Sequence, residues 1–540
     1  MSMRHRHAIS SAPNVEVDVD VLVVGAGPTG LVAAAEALRL GMSVRIVERR
    51  STRGAFSKAL VVHARTLEVF DTMGIAPEVR AVGAPFAALN ARFAGSRRRV
   101  RIDLLGLPWE DTAYPYWLSV PQYDTERVLE AHLVRLGGSV EWSCALRSLR
   151  ELGGFVEAEL QSDGGTETVR ARWVIGCDGG RSTVRDLVGV TLRRTGAGAT
   201  FLLADVKTTT DLVEDEGHLY LARQGLIILV PMPEPRRWRL IAHMRASLPS
   251  EDGDAPVIDA AGIDALILER TGIEFGSHDV SWTSQFDLTH GVADRFRESR
   301  IFLAGDAAHI HSPVGGQGLN TGVQDAHNLL WRIAESRGLP PWSAKALLDG
   351  YESERRGTAV PMVRGVARMT AVMTARRWPI RQVLGLLAPR ILSRPGVQAK
   401  LGRDVGMLNL SYAGAARAQR TSGHGLRVGC RLPNPEMVSG GRIFDRLPTT
   451  GYSWLVVGDD DAPEPDPSAM CWRGVPVVFV LRRNLRDSSG YPRGAGVVLV
   501  RPDRYIAGVG DDPASLADDV LPSAESMDTA GIDDRLGAQR

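Results

Sequence analysis

Gly25, Gly27 and Gly30 have the G-x-G-x-x-G spacing that binds the pyrophosphate of a dinucleotide. The first glycine permits a tight turn, the second lets the backbone approach the phosphates, and the third lets a helix pack closely on a strand. Glu48 follows about 20 residues later, where an acidic side chain accepts the hydroxyl groups of a ribose. Because a carboxylate there disfavours a 2′-phosphate, these residues predict FAD or NAD in preference to NADP.

Asp178 and Asp306 each follow an apolar run typical of a buried strand, and open α/β sheets bind ligands at such strand ends. Either aspartate, taken alone, could instead cap a helix. Asp306 also opens the segment "GDAAHIHSPVGGQGLN" (residues 305–320), a glycine-rich loop that leads into an unbroken helical pattern. Glycines at a helix start let a ligand lie directly on the backbone, where the helix dipole favours negative charge.

The apolar pattern predicts the elements that position these residues. Residues 19–24 predict a buried strand, residues 31–40 a helix, and the segment ending at Glu48 a second strand. Further strands are predicted to end at Cys177 and at Ala304. Between residues 196 and 288 short strands alternate with turn-forming residues, which indicates an antiparallel sheet. The fold class is therefore α/β, with a Rossmann-like nucleotide-binding domain and an inserted antiparallel sheet.

In order and separation, the three motifs resemble those of the class A flavoprotein monooxygenases, the single-component aromatic hydroxylases related to p-hydroxybenzoate and phenol hydroxylases. The resemblance runs from about Val19 to about Ala334, and it implies that the dinucleotide is FAD. The flavin ring would lie on the glycine-rich loop, and Asp306 would hold the ribityl chain. The cofactor-binding residues expected on motif and resemblance together are Gly25, Gly27, Pro28, Thr29, Gly30, Glu48, Arg49, Arg65, Gln122, Asp178, Asp306, Pro313, Gly316, Gly318, Leu319 and Asn320.

Four of these residues are expected beside the reacting part of the flavin. The resemblance implies that the backbone of Gly318, Leu319 and Asn320 meets the pyrimidine edge of the ring. Pro313 matches a proline that borders the site of oxygen chemistry. Family members often have a second proline next to it, whereas this chain has Val314, which we expect at the substrate wall.

Arg65 and Gln122 lie in two earlier segments that resemble the family. The resemblance places Arg65 at the phosphate or ribose of FAD and Gln122 at the ribityl chain. The alternatives are a solvated arginine at a helix start and a helix-capping glutamine. Arg181 and Arg185 are expected to line a surface groove in which NADH or NADPH binds transiently, because the chain has only one G-x-G-x-x-G.

In the family, the antiparallel sheet covers the substrate. Leu226 and Ile228 are the expected substrate contacts, with ordinary core packing as the alternative for each. Four histidines are candidate proton acceptors for a phenol, although a single histidine is more often structural. They are His243, His290, His309 and His311.

The resemblance extends to a thioredoxin-like carboxyl-terminal domain of the kind that phenol and polyketide hydroxylases carry. That domain lacks C-x-x-C, so we expect a structural role or a subunit contact, as in a homodimer, rather than redox chemistry. The predicted units are a flexible tail (1–18), the FAD-binding domain (19–195), the substrate-binding sheet (196–290), the second part of the FAD-binding domain with a helical connector packed on it (291–403), a linker (404–427) and the thioredoxin-like domain (428–540).

The reaction implied by the resemblance is hydroxylation of a phenolic, polycyclic or polyketide-derived aromatic ring with NAD(P)H and O2 through a flavin C4a-hydroperoxide. One alternative is Baeyer–Villiger insertion or oxidative rearrangement of a polycyclic quinone. Another is a non-catalytic binding protein on the same fold.

Composition excludes several other classes of protein. With 64 basic and 63 acidic residues the net charge is +1, which does not indicate a nucleic-acid partner. Four scattered cysteines predict neither a disulfide framework nor a metal site, and no apolar run reaches the length of a membrane span. We therefore expect a reduced cytoplasmic enzyme with a small-molecule substrate.

Overall fold

The computed structural model describes most of the chain. The described residues are 16–54, 58–94, 99–195, 199–244, 250–251, 255–256, 258–312, 315–374, 378–412, 426–458, 471–472, 474–488, 491, 496–510 and 516. The predicted tail up to residue 15 and most of the predicted linker, residues 413–425, fall outside them. Among the described helices, none has both the length and the apolar character needed to cross a lipid bilayer.

Residues 19–195 form the nucleotide-binding half and part of a second sheet. The strands are β1 Val19–Val24, β2 Val44–Glu48, β3 Val61–Val62, β4 Ala84–Pro85, β5 Ala88–Phe93, β6 Arg99–Asp103, β7 Leu118–Ser119, β8 Val140–Trp142, β9 Ala145–Leu152, β10 Phe155–Ser162, β11 Gly165–Gly176 and β12 Leu192–Thr195. The helices are α1 Pro28–Arg39, α2 Ala64–Thr72, α3 Ala76–Ala81, α4 Gln122–Arg135 and α5 Thr183–Leu187.

Residues 200–405 complete both sheets and add the long helices. The strands are β13 Thr200–Thr208, β14 Glu216–Ala222, β15 Gly225–Pro231, β16 Arg237–Met244, β17 Ser250–Glu251, β18 Ala255–Pro256, β19 Ser277–Asp287, β20 His290–Ala293, β21 Arg297–Glu298, β22 Ile301–Leu303 and β23 His309–Ile310. The helices are α6 Ala260–Thr271, α7 Gln317–Ser336, α8 Pro341–Met373, α9 Trp378–Leu392 and α10 Pro395–Val405.

The predicted Rossmann-like domain is confirmed. Its sheet has the order β21-β22-β11-β1-β2-β8, and the pairs from β22 to β8 are parallel. The apolar runs of β1 and β11 are buried on both faces, as expected for parallel strands covered by helices. This order places the carboxyl ends of β1, β11 and β22 side by side, and the three motifs follow those ends.

The antiparallel sheet is larger than the sequence predicted. Its order is β19-β13-β16-β15-β14-β5-β6, so β5 and β6 join it although the sequence assigns them to the FAD-binding domain. Strand β5 pairs in parallel with β14, and such long-range pairing leaves no local signal. One face packs on α6 through Ile263 and Ile267. The other face carries a separate apolar cluster that includes Phe201 and Leu226.

The helical connector contacts both domains. Helix α8 packs against α7, as predicted, whereas α9 and α10 place Ala388, Leu392 and Leu401 on the cluster around β5 and β6. The second half of the connector therefore packs on residues that the sequence assigns to the first domain, although β5 and β6 join the large sheet. Pro395 begins α10, but Pro389 lies inside α9 without ending it.

The carboxyl-terminal unit contains α11 Ile443–Arg446 and strands β24 Ser453–Gly458, β25 Cys471–Trp472, β26 Val475–Leu481, β27 Gly496–Val500 and β28 Ile506–Gly510. The order β26-β24-β27-β28, with β24 parallel to β26 and antiparallel to β27, is that of a thioredoxin fold. Buried ion pairs attach this unit to the FAD-binding domain. Arg431 contacts Glu68 (2.8 Å), and Arg501 contacts Glu354 (2.6 and 2.9 Å).

Candidate active site

The G-x-G-x-x-G turn connects β1 to α1, and its glycines face three different surroundings. Gly25 has φ +102°, and a Cβ there would lie 2.5 Å from the carbonyl oxygen of Cys177. A Cβ on Gly30 would overlap the carbonyl oxygen of Gly25, because α1 packs directly on the turn. A Cβ on Gly27 would have no atom within 4 Å. The open side of the turn is therefore at Gly27, the N-cap of α1, which has no side chain to cap the helix.

Glu48 lies at the end of β2, beside this turn. Its Oε2 accepts a hydrogen bond from the backbone N–H of Ala26 (2.9 Å), and its Oε1 accepts two from Arg50 (both 3.1 Å). Burial alone would raise the pKa of Glu48, but the bonds from Arg50 and Ala26 hold the pKa below its ordinary value. The carboxylate therefore stays ionised. Arg50 is the arginine that contacts it. Arg49 is exposed, as Arg50 is, and its FAD contact remains a prediction.

The first motif, the turn after β22 and helix α7 meet at Thr29, in the first turn of α1. A Cβ on Gly305 would lie 2.6 Å from Thr29 Oγ1, and a Cβ on Gly322 in α7 would overlap the same atom. The backbone N–H of Ala304 donates to Gly176 O (3.0 Å), which joins β22 to β11. The tertiary structure thus places the turn after β1, the turn after β22 and helix α7 around one side chain.

The two aspartates differ in what they contact. Asp178 Oδ1 accepts from Ser182 Oγ (2.5 Å) and Oδ2 accepts from Val184 N (3.1 Å), so Asp178 holds the start of α5. Burial raises the pKa of Asp178 despite these bonds. Asp306 is exposed, although its neighbours on both sides are buried, and it faces the ammonium group of Lys58. Asp306 is therefore the aspartate that is available to a ligand.

Arg185 joins two of the motifs. Its guanidinium donates to Ala307 O and to Gly180 O, both at 3.1 Å, and the side chain is buried. The expectation that Arg185 lines a surface groove for NAD(P)H is therefore wrong, because the turn after β22 already uses its donors. Arg181 is exposed. Arg185 is therefore a positioning residue, a role that the sequence did not indicate because its partner Ala307 lies more than 100 residues away.

The glycine turn before α7 is fastened to strand β3. Gly315 and Gly316 have φ +89° and +63°, a backbone that favours glycine. His63 Nε2 lies 2.9 Å from Gly315 O, and burial lowers the pKa of His63 to about 4, which keeps the ring neutral. The Asn320 side chain accepts from His63 N (2.8 Å) and donates to Val61 O (2.8 Å) and Gly316 O (2.7 Å). Asn320 thus positions the turn.

The remaining residues of the loop leave room at the helix start. A Cβ on Gly318 would meet only the edge of the His311 ring, at 3.7 Å, which is ordinary contact. Leu319 is half-buried against the main core. Pro313 and Val314 lie outside the described residues.

The hydrogen bonds of Arg65 and Gln122 go to residues outside the glycine turns. Arg65 is buried against the carboxyl-terminal domain, where it donates to Glu68 Oε2 (2.9 Å) and Asp503 O (2.6 Å). Gln122 begins α4 and donates to Glu126 Oε1 (2.8 Å). The FAD contacts assigned to them by resemblance remain predictions.

The apolar face of the large sheet carries the predicted substrate contacts. Cross-strand partners Leu219 and Ile228, and Leu221 and Leu226, belong to the same cluster on this face. Leu226 is fully buried, whereas Ile228 is half-buried. Trp282 and Phe286 of β19 are half-buried residues of the same cluster. Ile228 is therefore better placed than Leu226 to meet a ligand.

A buried ion pair links this sheet to the cofactor side. Asp205 and Arg239 form two bonds of 2.7 Å, and both side chains are buried. Arg239 Nη1 also donates to Lys58 O (3.0 Å) and Ala59 O (3.2 Å). The Lys58 ammonium lies 4.2 Å from the ring centre of Phe286 and faces Asp306. No local pattern marks these residues, because their partners are distant in sequence.

Taken together, the described residues fit a flavin dinucleotide. The chain offers open backbone at Gly27, an exposed carboxylate at Asp306, and a helix start at Gly316 that no side chain caps. These groups suit a pyrophosphate, a hydroxylated chain and an electron-rich ring edge, respectively.

We expect Asp306→Ala to weaken FAD binding about tenfold to a hundredfold, because a carboxylate that accepts a hydroxyl proton contributes roughly 1.5–3 kcal/mol. Titration of the apoprotein by flavin fluorescence measures the change. Asp163→Ala is a suitable control, since Asp163 is an exposed aspartate in the turn between β10 and β11. Equal FAD affinity in wild type and Asp306→Ala would remove Asp306 from the binding site.

Comparison with known proteins identifies relatives along nearly the whole chain. The FAD binding domain family matches residues 18–366. A 6-methylpretetramide 4-monooxygenase from Streptomyces rimosus is 33% identical over 91% of this chain and 90% of its own length. A rifampicin monooxygenase from Rhodococcus hoagii is 31% identical over 92% and 96%. The solved structure of the anhydrotetracycline hydroxylase OxyS from Streptomyces rimosus superposes with a TM-score of 0.72 at 29% identity, covering 93% of this chain and 98% of that one.

Proposed function

Because the chain belongs to the FAD binding domain family and is an FAD-dependent aromatic monooxygenase, we propose that its substrate is a polycyclic phenol of polyketide type. The observation that carries the proposal is the apolar face of the seven-stranded sheet. Its half-buried residues Leu219, Leu221, Ile228, Trp282 and Phe286 extend from β14 to β19. Five adjacent strands span about 19 Å, which is wider than a single phenol ring requires.

The names of the relatives support the same substrate class. The relatives named above act on a pretetramide, a rifampicin and an anhydrotetracycline. OxyS is a hydroxylase by name, which favours hydroxylation over the Baeyer–Villiger alternative. The enzyme uses FAD, NAD(P)H and O2.

In the proposed mechanism, the chain binds FAD along the three motifs. Bound FAD passes electrons from NAD(P)H to O2 and delivers one oxygen atom to the aromatic ring. The open backbone at Gly27 and the start of α1 hold the pyrophosphate, Glu48 accepts from the ribose, and Asp306 accepts from the ribityl chain. The start of α7 at Gly318 stabilises negative charge on the ring edge.

The rest of the chain orients the reactants and excludes water. Asn320 and His63 fix the glycine turn, so that the turn would hold a bound flavin in one orientation. The apolar wall keeps water from the reacting atoms, which suppresses release of hydrogen peroxide.

We propose that the predicted domain division holds, except that β5 and β6 belong to the large sheet. We propose that the carboxyl-terminal domain has a structural role or forms a homodimer contact. We further propose that the enzyme is cytoplasmic and acts without nucleic acid or membrane.

Substrate-dependent NAD(P)H oxidation tests the proposal directly. We expect polycyclic phenols in a panel with monocyclic phenols to stimulate NAD(P)H oxidation and to gain one atom from ¹⁸O2 as a hydroxyl group. A labelled ester that opens in base would establish Baeyer–Villiger insertion instead. No stimulation by any phenol would favour the non-catalytic alternative.

A variant of the apolar wall makes the test specific to substrate size. Ile228→Phe should raise the KM for a polycyclic substrate severalfold and leave FAD affinity unchanged, because the larger side chain takes up space beside the apolar face. Leu268→Phe on the exposed side of α6 is the matched control. An unchanged KM in Ile228→Phe would place the substrate elsewhere.

A further inference from the structure

His311 lies between the two turns that carry Asp306 and Gly318. It follows β23, and its Nδ1 lies 2.9 Å from the carbonyl oxygen of Ser312. A carbonyl oxygen only accepts, so Nδ1 carries the proton of the neutral ring and Nε2 is left as an acceptor. Burial lowers the pKa of His311, which keeps the ring in this neutral form.

The acceptor Nε2 is shielded from solvent and has no hydrogen-bond partner among the described residues. It faces Gly318, where a Cβ would lie 3.9 Å from Nε2. The titratable groups around the ring are Asp306, His290 and His309. The His309 ring is nearly parallel to it, with centres 6.4 Å apart, and His309 Nε2 is already paired with Asp325 (2.7 Å).

A buried acceptor without a donor destabilises the protein unless a ligand supplies one. On oxidised FAD near a helix start, the ring N1 and the C2 carbonyl accept, whereas the ring N3–H and the ribityl hydroxyl groups can donate. Asp306, the residue proposed to hold the ribityl chain, interacts electrostatically with His311. Asp306 precedes β23 and His311 follows it, which favours a ribityl hydroxyl group over the ring N3–H as the donor to Nε2.

We propose that His311 is a cofactor-binding residue whose Nε2 accepts a hydrogen bond from a hydroxyl group of the FAD ribityl chain. The proposal rests on the proposed position of FAD at the turns of Asp306 and Gly318. It gives His311 a role different from that of a proton acceptor for the phenol.

The test is a thermodynamic cycle between the protein and the cofactor. Apoprotein with His311 or with His311→Phe is titrated with FAD and with FAD analogues that each lack one ribityl hydroxyl group. We expect His311→Phe to weaken FAD binding about tenfold. Wild type and His311→Phe should bind equally the one analogue that lacks the hydroxyl group donating to Nε2. His311→Gln, whose amide oxygen accepts, should recover most of the affinity. His278→Phe, at an exposed histidine of β19, should match wild type.

Two results would overturn the proposal. The same loss of affinity with FAD and with every deoxy analogue would show that His311→Phe acts on the shape of the site or on the ring N3–H, and not on a ribityl hydroxyl group. Binding of the phenol is measured by the change in flavin absorbance. If His311→Phe keeps its FAD affinity but binds the phenol more weakly, His311 belongs to the substrate site. If His311→Phe does not fold, His311→Gln and wild type are compared over the same analogues. A wild-type protein that binds every deoxy analogue as tightly as FAD would reject the contact. A wild-type protein that binds FAD but hydroxylates no phenol would refute the proposed function and leave this contact standing.

Discussion

Asp325→Ala is expected to lower the free energy of unfolding by about 3–5 kcal/mol and to abolish FAD retention. The Asp325 carboxylate is fully buried in α7, where it accepts from Gly305 N (3.0 Å), His309 Nε2 (2.7 Å) and Arg355 Nε (2.7 Å). Burial alone would raise the pKa of Asp325, but Arg355 and His309 hold the pKa below its ordinary value. Its removal leaves the buried Arg355 charge uncompensated and releases the turn that carries Asp306.

Denaturant unfolding of the apoprotein and FAD titration measure the two effects separately. Asp325→Asn keeps the shape and removes the charge, so it should be intermediate in stability. Asp404→Ala removes a carboxylate from an exposed pair with Lys400 (3.0 Å) and should change stability by less than about 1 kcal/mol. A free energy of unfolding for Asp325→Ala as close to wild type as that of Asp404→Ala would show that this network does not stabilise the fold.

Gly30→Ala and Gly27→Ala should fail for different reasons, although they add the same methyl group to the same turn. At Gly30 the Cβ overlaps the carbonyl oxygen of Gly25, so the turn between β1 and α1 must open. We expect a loss of several kcal/mol or no folded protein, since a backbone overlap cannot be relieved by a rotamer change. At Gly27 nothing lies within 4 Å, so the apoprotein should be nearly as stable as wild type but bind FAD at least a hundredfold more weakly.

Circular dichroism melting and FAD titration distinguish these outcomes. Gly41→Ala is a control for backbone strain, because its φ of +71° is unfavourable for alanine while a Cβ there would contact nothing within 4 Å. Wild-type FAD affinity in Gly27→Ala would mean that the pyrophosphate does not lie on this turn. A stable, FAD-binding Gly30→Ala would contradict the packing of α1 on Gly25.

The buried charges also explain why the carboxyl-terminal domain is held firmly. Arg501 pairs with Asp503 (2.6 Å) in its own domain and with Glu354 of α8, and Asp503 accepts from Asn328 of α7 (3.1 Å). Neutralisation of one member leaves the others unpaired in a low-dielectric interior. The domain is therefore part of the surroundings of α7 and α8 rather than a loosely attached unit.

The fold could be predicted from the sequence where neighbouring residues decide the structure. The apolar run of β1, the glycines at 25, 27 and 30 and the helical pattern that follows define a strand, a turn and a helix within about 20 residues. The same reasoning identifies β2 with Glu48, β11 before Asp178 and β22 before Asp306. It does not assign β5 and β6 to the large sheet, because their partner strand β14 is more than 120 residues away.

What the sequence by itself determined is where the three motifs are and which ligand chemistry their residue types suit. Only the tertiary structure decided which polar side chains are available to bind the ligand and which form hydrogen bonds within the protein. Asp178 holds a helix start and Asp306 is exposed, although both follow strands in the same way. Asn320 reaches back to His63, and Arg65 turns to the carboxyl-terminal domain. The physical reason is that a buried polar group must find a partner, and the partner is chosen by three-dimensional packing between segments hundreds of residues apart.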